Sequence, residues 1–206
     1  MKLNLGCGSQ VPKGWVNVDY AIGARFAKLP FFSSLNKKLN LFNVDWNKDI
    51  FIHDLTKKFP WKDNSIDVIY SSHTLEHLNK EKGRYFINEC FRVLIANGIV
   101  RIVVPDLESI VTRYLNGEIG ADEFLDSNEL GIQSQDYNNP IKKMLSPLIR
   151  FPHKCMYDTA TLISVLKEIG FQAEERKAFE SDIPDIQQIE LKSRTENAVI
   201  VEGRKP

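Results

Sequence analysis

The sequence predicts an α/β fold built on a mainly parallel sheet. Three observations carry this reading. Seven short apolar segments, at 2–5, 15–19, 50–55, 66–71, 98–104, 171–177 and 198–202, have the length and content of strands. Helical patterns occupy the gaps after the fourth and fifth segments, and such alternation implies right-handed crossovers between parallel strands. The gap before the last strand, 178–197, is polar and irregular with no clear helix, which suits an antiparallel return at the sheet edge.

The first strand, Lys2-Leu3-Asn4-Leu5, runs into a glycine turn, Gly6-Cys7-Gly8-Ser9. The second, Trp15-Val16-Asn17-Val18-Asp19, and the third, ending His53-Asp54-Leu55, each finish on a carboxylate. The fourth, Ile66-Asp67-Val68-Ile69-Tyr70-Ser71, is followed by a helix over about 80–94, with Tyr85, Phe86, Cys90, Val93 and Leu94 at helical spacing. Asn97-Gly98 is expected to end that helix. A second helix follows Pro105 with Asp106 as N-cap and stops at Asn116-Gly117. A third spans 159–169, capped by Asp158 and ended by Gly170. Two segments break the alternation. The first, 21–43, mixes Arg25, Lys28, Lys37 and Lys38 with Phe26, Phe31, Phe32 and Phe42; the second is 118–152. Both are candidate lids or substrate-binding insertions within one domain, 1–206.

Composition narrows the function. The chain has 206 residues, enough for one core without disulfides or metal. Lys plus Arg and Asp plus Glu are 27 each, so the net charge is zero, which argues against a nucleic-acid partner. Cys7, Cys90 and Cys155 are scattered, with no C-x-x-C, and are expected to be reduced thiols in a cytoplasmic protein. No signal peptide or membrane-length apolar run is expected. The sequence does not determine the oligomeric state.

Glycines at the end of a first strand let a ligand approach the backbone, and an acid ending the next strand can accept hydrogen bonds from a ribose diol. From Gly6 to Asp19 the spacing is short. The intervening Gln10-Val11-Pro12-Lys13-Gly14 holds barely one helical turn, too little to receive a pyrophosphate. That argues against a nicotinamide dinucleotide and for a nucleoside without phosphates. Asp54 is placed to accept from an adenine amino group, with the Leu55 backbone alongside.

With these residues in view, the chain resembles the class I S-adenosylmethionine-dependent methyltransferases, in particular the small type 11 methyltransferase domains. The matching stretches are LNLGCGS (3–9), VNVD (16–19), HDL (53–55), FPWKDNSIDVIYSSHTLEHL (59–78), NECFRVLIANGIVRIVVPD (88–106), HKCMYDTATLISVLKEIGF (153–171) and ENAVIVEGRK (196–205). The resemblance implies a Rossmann-like sheet of seven strands, mostly parallel with the last antiparallel, and helices on both faces. It implies S-adenosylmethionine as cofactor. Gly6, Cys7 and Gly8 would line its methionine part, Asp19 would hold the ribose, Asp54 and Leu55 the adenine, and Ser71, Ser72 and His73 would lie beneath the sulfonium. Three features depart from the family: Asn4 replaces the usual acid, Gln10 the usual third glycine, and the first helix is nearly absent.

Methyl transfer requires alignment of a nucleophile with the sulfonium methyl, and an alcohol nucleophile also needs a base. His73, just past the fourth strand, is the first candidate and His153 the second, with Tyr157 orienting the substrate. The expected acceptor is a small molecule or saccharide, methylated at oxygen. A cofactor-binding but catalytically silent domain and a nucleotide-dependent oxidoreductase are the alternatives. His73-Thr74-Leu75-Glu76-His77 also spells H-x-x-E-H, a zinc signature. It abuts a strand and lacks a third ligand, so no metal is expected and Glu76 and His77 are assigned to bonding loop backbone.

Overall fold

A computed structural model describes residues 1–30, 46–127 and 152–206. Most of the two predicted insertions therefore lies outside the described residues. Seven strands form one sheet: β1 (Lys2–Leu5), β2 (Val16–Asp19), β3 (Phe51–Ile52), β4 (Ile66–Ser72), β5 (Leu94–Pro105), β6 (Gln172–Glu175) and β7 (Ala198–Arg204). Their order is β3-β2-β1-β4-β5-β7-β6. The pairs β1–β2, β1–β4, β2–β3 and β4–β5 are parallel, while β7 runs antiparallel to β5 and β6. The chain moves outward from β1 to β3, then crosses back to β4. The switch point thus falls between β1 and β4, where open α/β sheets bind ligands.

Among the described residues the α-helices are α1 (Ile22–Phe26), α2 (Lys80–Val93), α3 (Leu107–Leu115), α4 (Ala121–Ser127), α5 (Thr159–Ile169) and α6 (Lys192–Thr195). Among the described residues, no helix is long and apolar enough to cross a membrane. The capping predictions hold. Asp106 accepts from Glu108 N, Asp158 accepts from Thr161 N, and Gly170 ends α5 with φ 118°. Asn79 caps α2 by accepting from Lys82 N. The end of α2 differs from the expected one. The helix stops at Val93, and Leu94 already pairs with Ile66 in the sheet. Asn97 (φ 63°) and Gly98 instead lie in an irregular step of β5, where the register jumps before Val68 pairs Ile99.

On one face of the sheet Leu3, Leu5, Ile69, Val100 and Ile102 pack against Phe86, Cys90 and Val93 of α2 and Leu162 and Leu166 of α5. On the other, Trp15, Tyr70, Ile99, Val103 and Ile200 are covered by Ile183, Ile186 and Ile189. The segment 178–197 is therefore more than an edge return. It contains a one-turn 3-10 helix (Ile186–Gln188) and α6, and it lies across the sheet face. Arg101 of β5 holds it there. Its buried guanidinium donates to Glu190 Oε1 and Oε2 (both 2.9 Å), Glu202 Oε1 (2.8 Å), and the carbonyls of Glu180 and Lys177 (both 3.0 Å).

Candidate functional site

Beyond Leu5 the backbone turns at Gly6 (φ 74°) and Gly8 (φ 54°). Gly6 N and Cys7 N both donate to Val18 O, at 2.9 and 3.0 Å, folding the turn onto β2. The two glycines serve different ends. A Cβ on Gly6 would sit 1.9 Å from Thr74 Oγ1, so this glycine admits Thr74. A Cβ on Gly8 would meet nothing within 4 Å, so its backbone faces open space. Gly8 N donates to Asp19 Oδ2 (2.8 Å) and Ala21 N to Asp19 Oδ1 (2.7 Å). A carboxylate has about four acceptor sites. Asp19 thus braces the turn and retains lone pairs for a diol. The Cys7 thiol is pushed up to about 12 by burial and by the neighbouring Asp19 charge, so it stays protonated.

Asp54 follows His53, whose N–H donates to Asp19 O (3.2 Å) at the β2–β3 edge. Burial raises the Asp54 carboxyl pKa, but bonds from the Thr56 hydroxyl (2.7 Å) and amide (2.9 Å) outweigh this and hold it below the usual carboxylate range. The Leu55 side chain is in the core, which leaves its backbone for any ligand contact. Ser71 is buried, its hydroxyl donating to Leu5 O (3.0 Å) across the switch point. Asn4 is buried and donates to Gln10 O and Asn17 Oδ1, both at 3.0 Å. The departure at position 4 thus has a local reason: an acid there would face two oxygens in place of two acceptors it satisfies.

A solvent-open cleft lies at this end of the sheet. Asn4, Gly6, Cys7, Gln10, Tyr70 and Ser72 line one side, and Ile189, Leu191 and Arg194 the other. Sequence reasoning missed the second side. Its only signal is the spacing of Ile183, Ile186 and Ile189, too short a run to mark a helix. Gln10–Gly14 forms turns without a helix, so no helix N-terminus meets the glycine turn.

His73 adopts the left-handed region (φ 51°), which is strained for a side-chain-bearing residue. Its Nε2 lies 2.9 Å from Arg194 O and its Nδ1 3.4 Å from Glu76 Oε1. The imidazole thus ties the end of β4 to the far wall of the cleft. His153 lies on the other side of Glu76, with Nε2 4.0 Å from Oε1 and its ring 5.0 Å from that of His77. Tyr157 belongs to the core, and burial, followed by the neighbouring Cys155 and Glu76, pushes its hydroxyl well above the ordinary value. The stretch 73–77 is a strand end followed by a 3-10 turn (Leu75–His77), and the helix starts only at Lys80. The Glu76 carbonyl accepts from Lys154 N (2.7 Å) and Cys155 N (3.1 Å), whereas its carboxylate makes no backbone bond among the described residues.

Residues 3–102 match the family model for a methyltransferase domain. No curated protein matches the chain in sequence. The chain is similar in fold to YcgJ from Bacillus subtilis (13% identity, TM-score 0.51), with 99% of this chain and 91% of that one covered. It is also similar to an S-adenosylmethionine-dependent methyltransferase from Methanosarcina mazei (17%, 0.50), with 99% and 91% covered. An O-methyltransferase family protein from Burkholderia thailandensis aligns at 12% and 0.52, covering 99% of this chain and 50% of that protein. At these identities the likeness is one of fold. Residues 3–102 thus carry a methyltransferase domain, and the whole chain shares the fold of these neighbours.

Proposed function

We propose that the chain binds S-adenosylmethionine across the carboxyl ends of β1 to β4 and methylates an oxygen of a small-molecule or saccharide acceptor. The observation that carries the reading is the switch-point cleft, with the open Gly8 backbone and the braced Asp19 at the same end of the sheet. When bound, the cofactor supplies an electrophilic methyl group. The chain's own residues do the rest. Asp19 accepts from the ribose hydroxyls, and Asp54 with the Leu55 backbone meets the adenine. Gly6, Cys7 and Gly8 flank the methionine from one side, and Ser71, Ser72 and His73 from the other. His73 and His153, either side of Glu76, are the groups assigned to take the acceptor proton, and Tyr157 braces His153's segment from the core. The zero net charge supports a small or saccharide acceptor over nucleic acid. The reduced thiols fit a cytoplasmic setting.

Calorimetry with S-adenosylhomocysteine tests the cofactor site. Binding should weaken about tenfold or more in Asp19→Ala, because charge-assisted bonds are worth roughly 1.5–3 kcal/mol each. No binding by the wild type would overturn the reading. For the base, His73→Ala should lose most turnover on an acceptor panel even at saturating cofactor. Unchanged turnover in both His73→Ala and His153→Ala would remove the proton-accepting role.

A further inference from the structure

Glu76 sits on the turn after β4 with its side chain 0% exposed. Among the described residues, neither of its oxygens accepts a hydrogen bond. The flanking imidazole nitrogens stand 3.4 and 4.0 Å away, and neither makes a hydrogen bond to the carboxylate. A carboxylate withdrawn from water in this way is costly unless something compensates it. What surrounds it is a ligand set. Glu76, His77 and His153 each offer a donor atom, and these atoms lie within 4.8 Å of one another. Zinc bonds of about 2.0–2.1 Å put tetrahedral donors about 3.4 Å apart, so a shift of roughly an ångström would close the three around an ion.

We propose that Glu76, His77 and His153 form a binding site for a first-row divalent transition ion, best fitted by Zn²⁺. Two imidazoles and one carboxylate suit such an ion, whereas Mg²⁺ and Ca²⁺ favour all-oxygen sets. Two observations besides the donors favour a built site. A ligating histidine is commonly oriented by giving its other N–H to a carbonyl, and His77 Nδ1 faces Pro152 O at 3.5 Å. The backbone bonds from Lys154 N and Cys155 N to Glu76 O fix the two ligand-bearing segments against each other. Three protein ligands leave a position on the ion for water or an acceptor oxygen. His73 then stands outside the ligand set, bridging Glu76 and the Arg194 carbonyl at the cleft wall, and remains the histidine for the proton. This site does not depend on the methyl-transfer reading.

The test is Zn²⁺ titration of chelator-stripped full-length protein by calorimetry, with S-adenosylhomocysteine titrated separately. One equivalent of Zn²⁺ should bind to the wild type and to Cys155→Ser, which removes the partly exposed thiol. Glu76→Gln, His77→Ala and His153→Ala should each weaken it about tenfold or more. Absence of Zn²⁺ binding, or equal binding in those variants, overturns the proposal whatever the cofactor titration gives. Should the variants misfold, Co²⁺-loaded wild type decides. Visible d–d bands at one equivalent without thiolate charge transfer support the site, and their absence, or thiolate bands, rejects it.

Discussion

At Gly6 two constraints coincide, a positive φ and the Thr74 side chain where a Cβ would go. Gly6→Ala should therefore cost about 2–4 kcal/mol in urea denaturation, from strain and overpacking together. Combining it with Thr74→Gly should recover the steric part and leave the φ part, so the double variant should be more stable than the two single effects summed. The sequence exposed the need for glycine but not its cause, because Thr74 is distant in the chain. The same holds for Glu76. The sequence assigns Glu76 to bonding loop backbone, and its full burial was not legible there. The amides of Lys154 and Cys155, far along the chain, bond its carbonyl. The acids at 19 and 54 were legible because one ends β2 and the other lies two residues past β3, and strand ends in a parallel sheet share one side.

Among the elements, α2 was legible almost to the residue, through its apolar stripe. What the stripe does not reveal is the use of its polar edge. Glu89, on that edge, accepts from Phe59 N (2.6 Å) and from Arg92 Nε and Nη2 (2.7 and 2.6 Å), while Arg92 also donates to the Phe59 and Trp61 carbonyls (both 3.1 Å). The pair anchors the loop that follows β3 and Asp54. Arg92 foremost, opposed by burial and aided by the Phe59 amide, holds the Glu89 carboxyl below its ordinary 4.5. A depressed carboxyl contributes stability that is complete above its unfolded value and is lost as pH falls through its folded value. Denaturation midpoints should therefore fall below about pH 4.5, and Glu89→Gln should lower the plateau at pH 7 while flattening that acid limb. An unchanged acid limb in the variant would show that Glu89 does not carry the linkage.

Across the whole molecule, the sheet was legible because each strand is bounded by turn residues. The segment covering its second face was not. Three isoleucines and one buried arginine hold 178–197 in place, and no periodic pattern announces them. Arg101→Ala would leave Glu190 and Glu202 buried without their cation, so the fold should lose about 3–5 kcal/mol. Since Ile189, Leu191 and Arg194 form one wall of the cleft, S-adenosylhomocysteine affinity should fall in the same variant. Calorimetry at a temperature where the variant is still folded separates the two effects.

The far wall of that cleft also has a consequence in time. A ribosome that has released the chain only as far as Pro105 has delivered β1 to β5, yet Ile189, Leu191 and Arg194 are still unmade and β5 still lacks its antiparallel neighbour β7. Until then Ile99 and Val103 are uncovered and the outer edge of β5 is open to pairing with another nascent chain. The cleft is therefore complete only once residues 189–204 have emerged, and until then the growing chain exposes an open sheet edge.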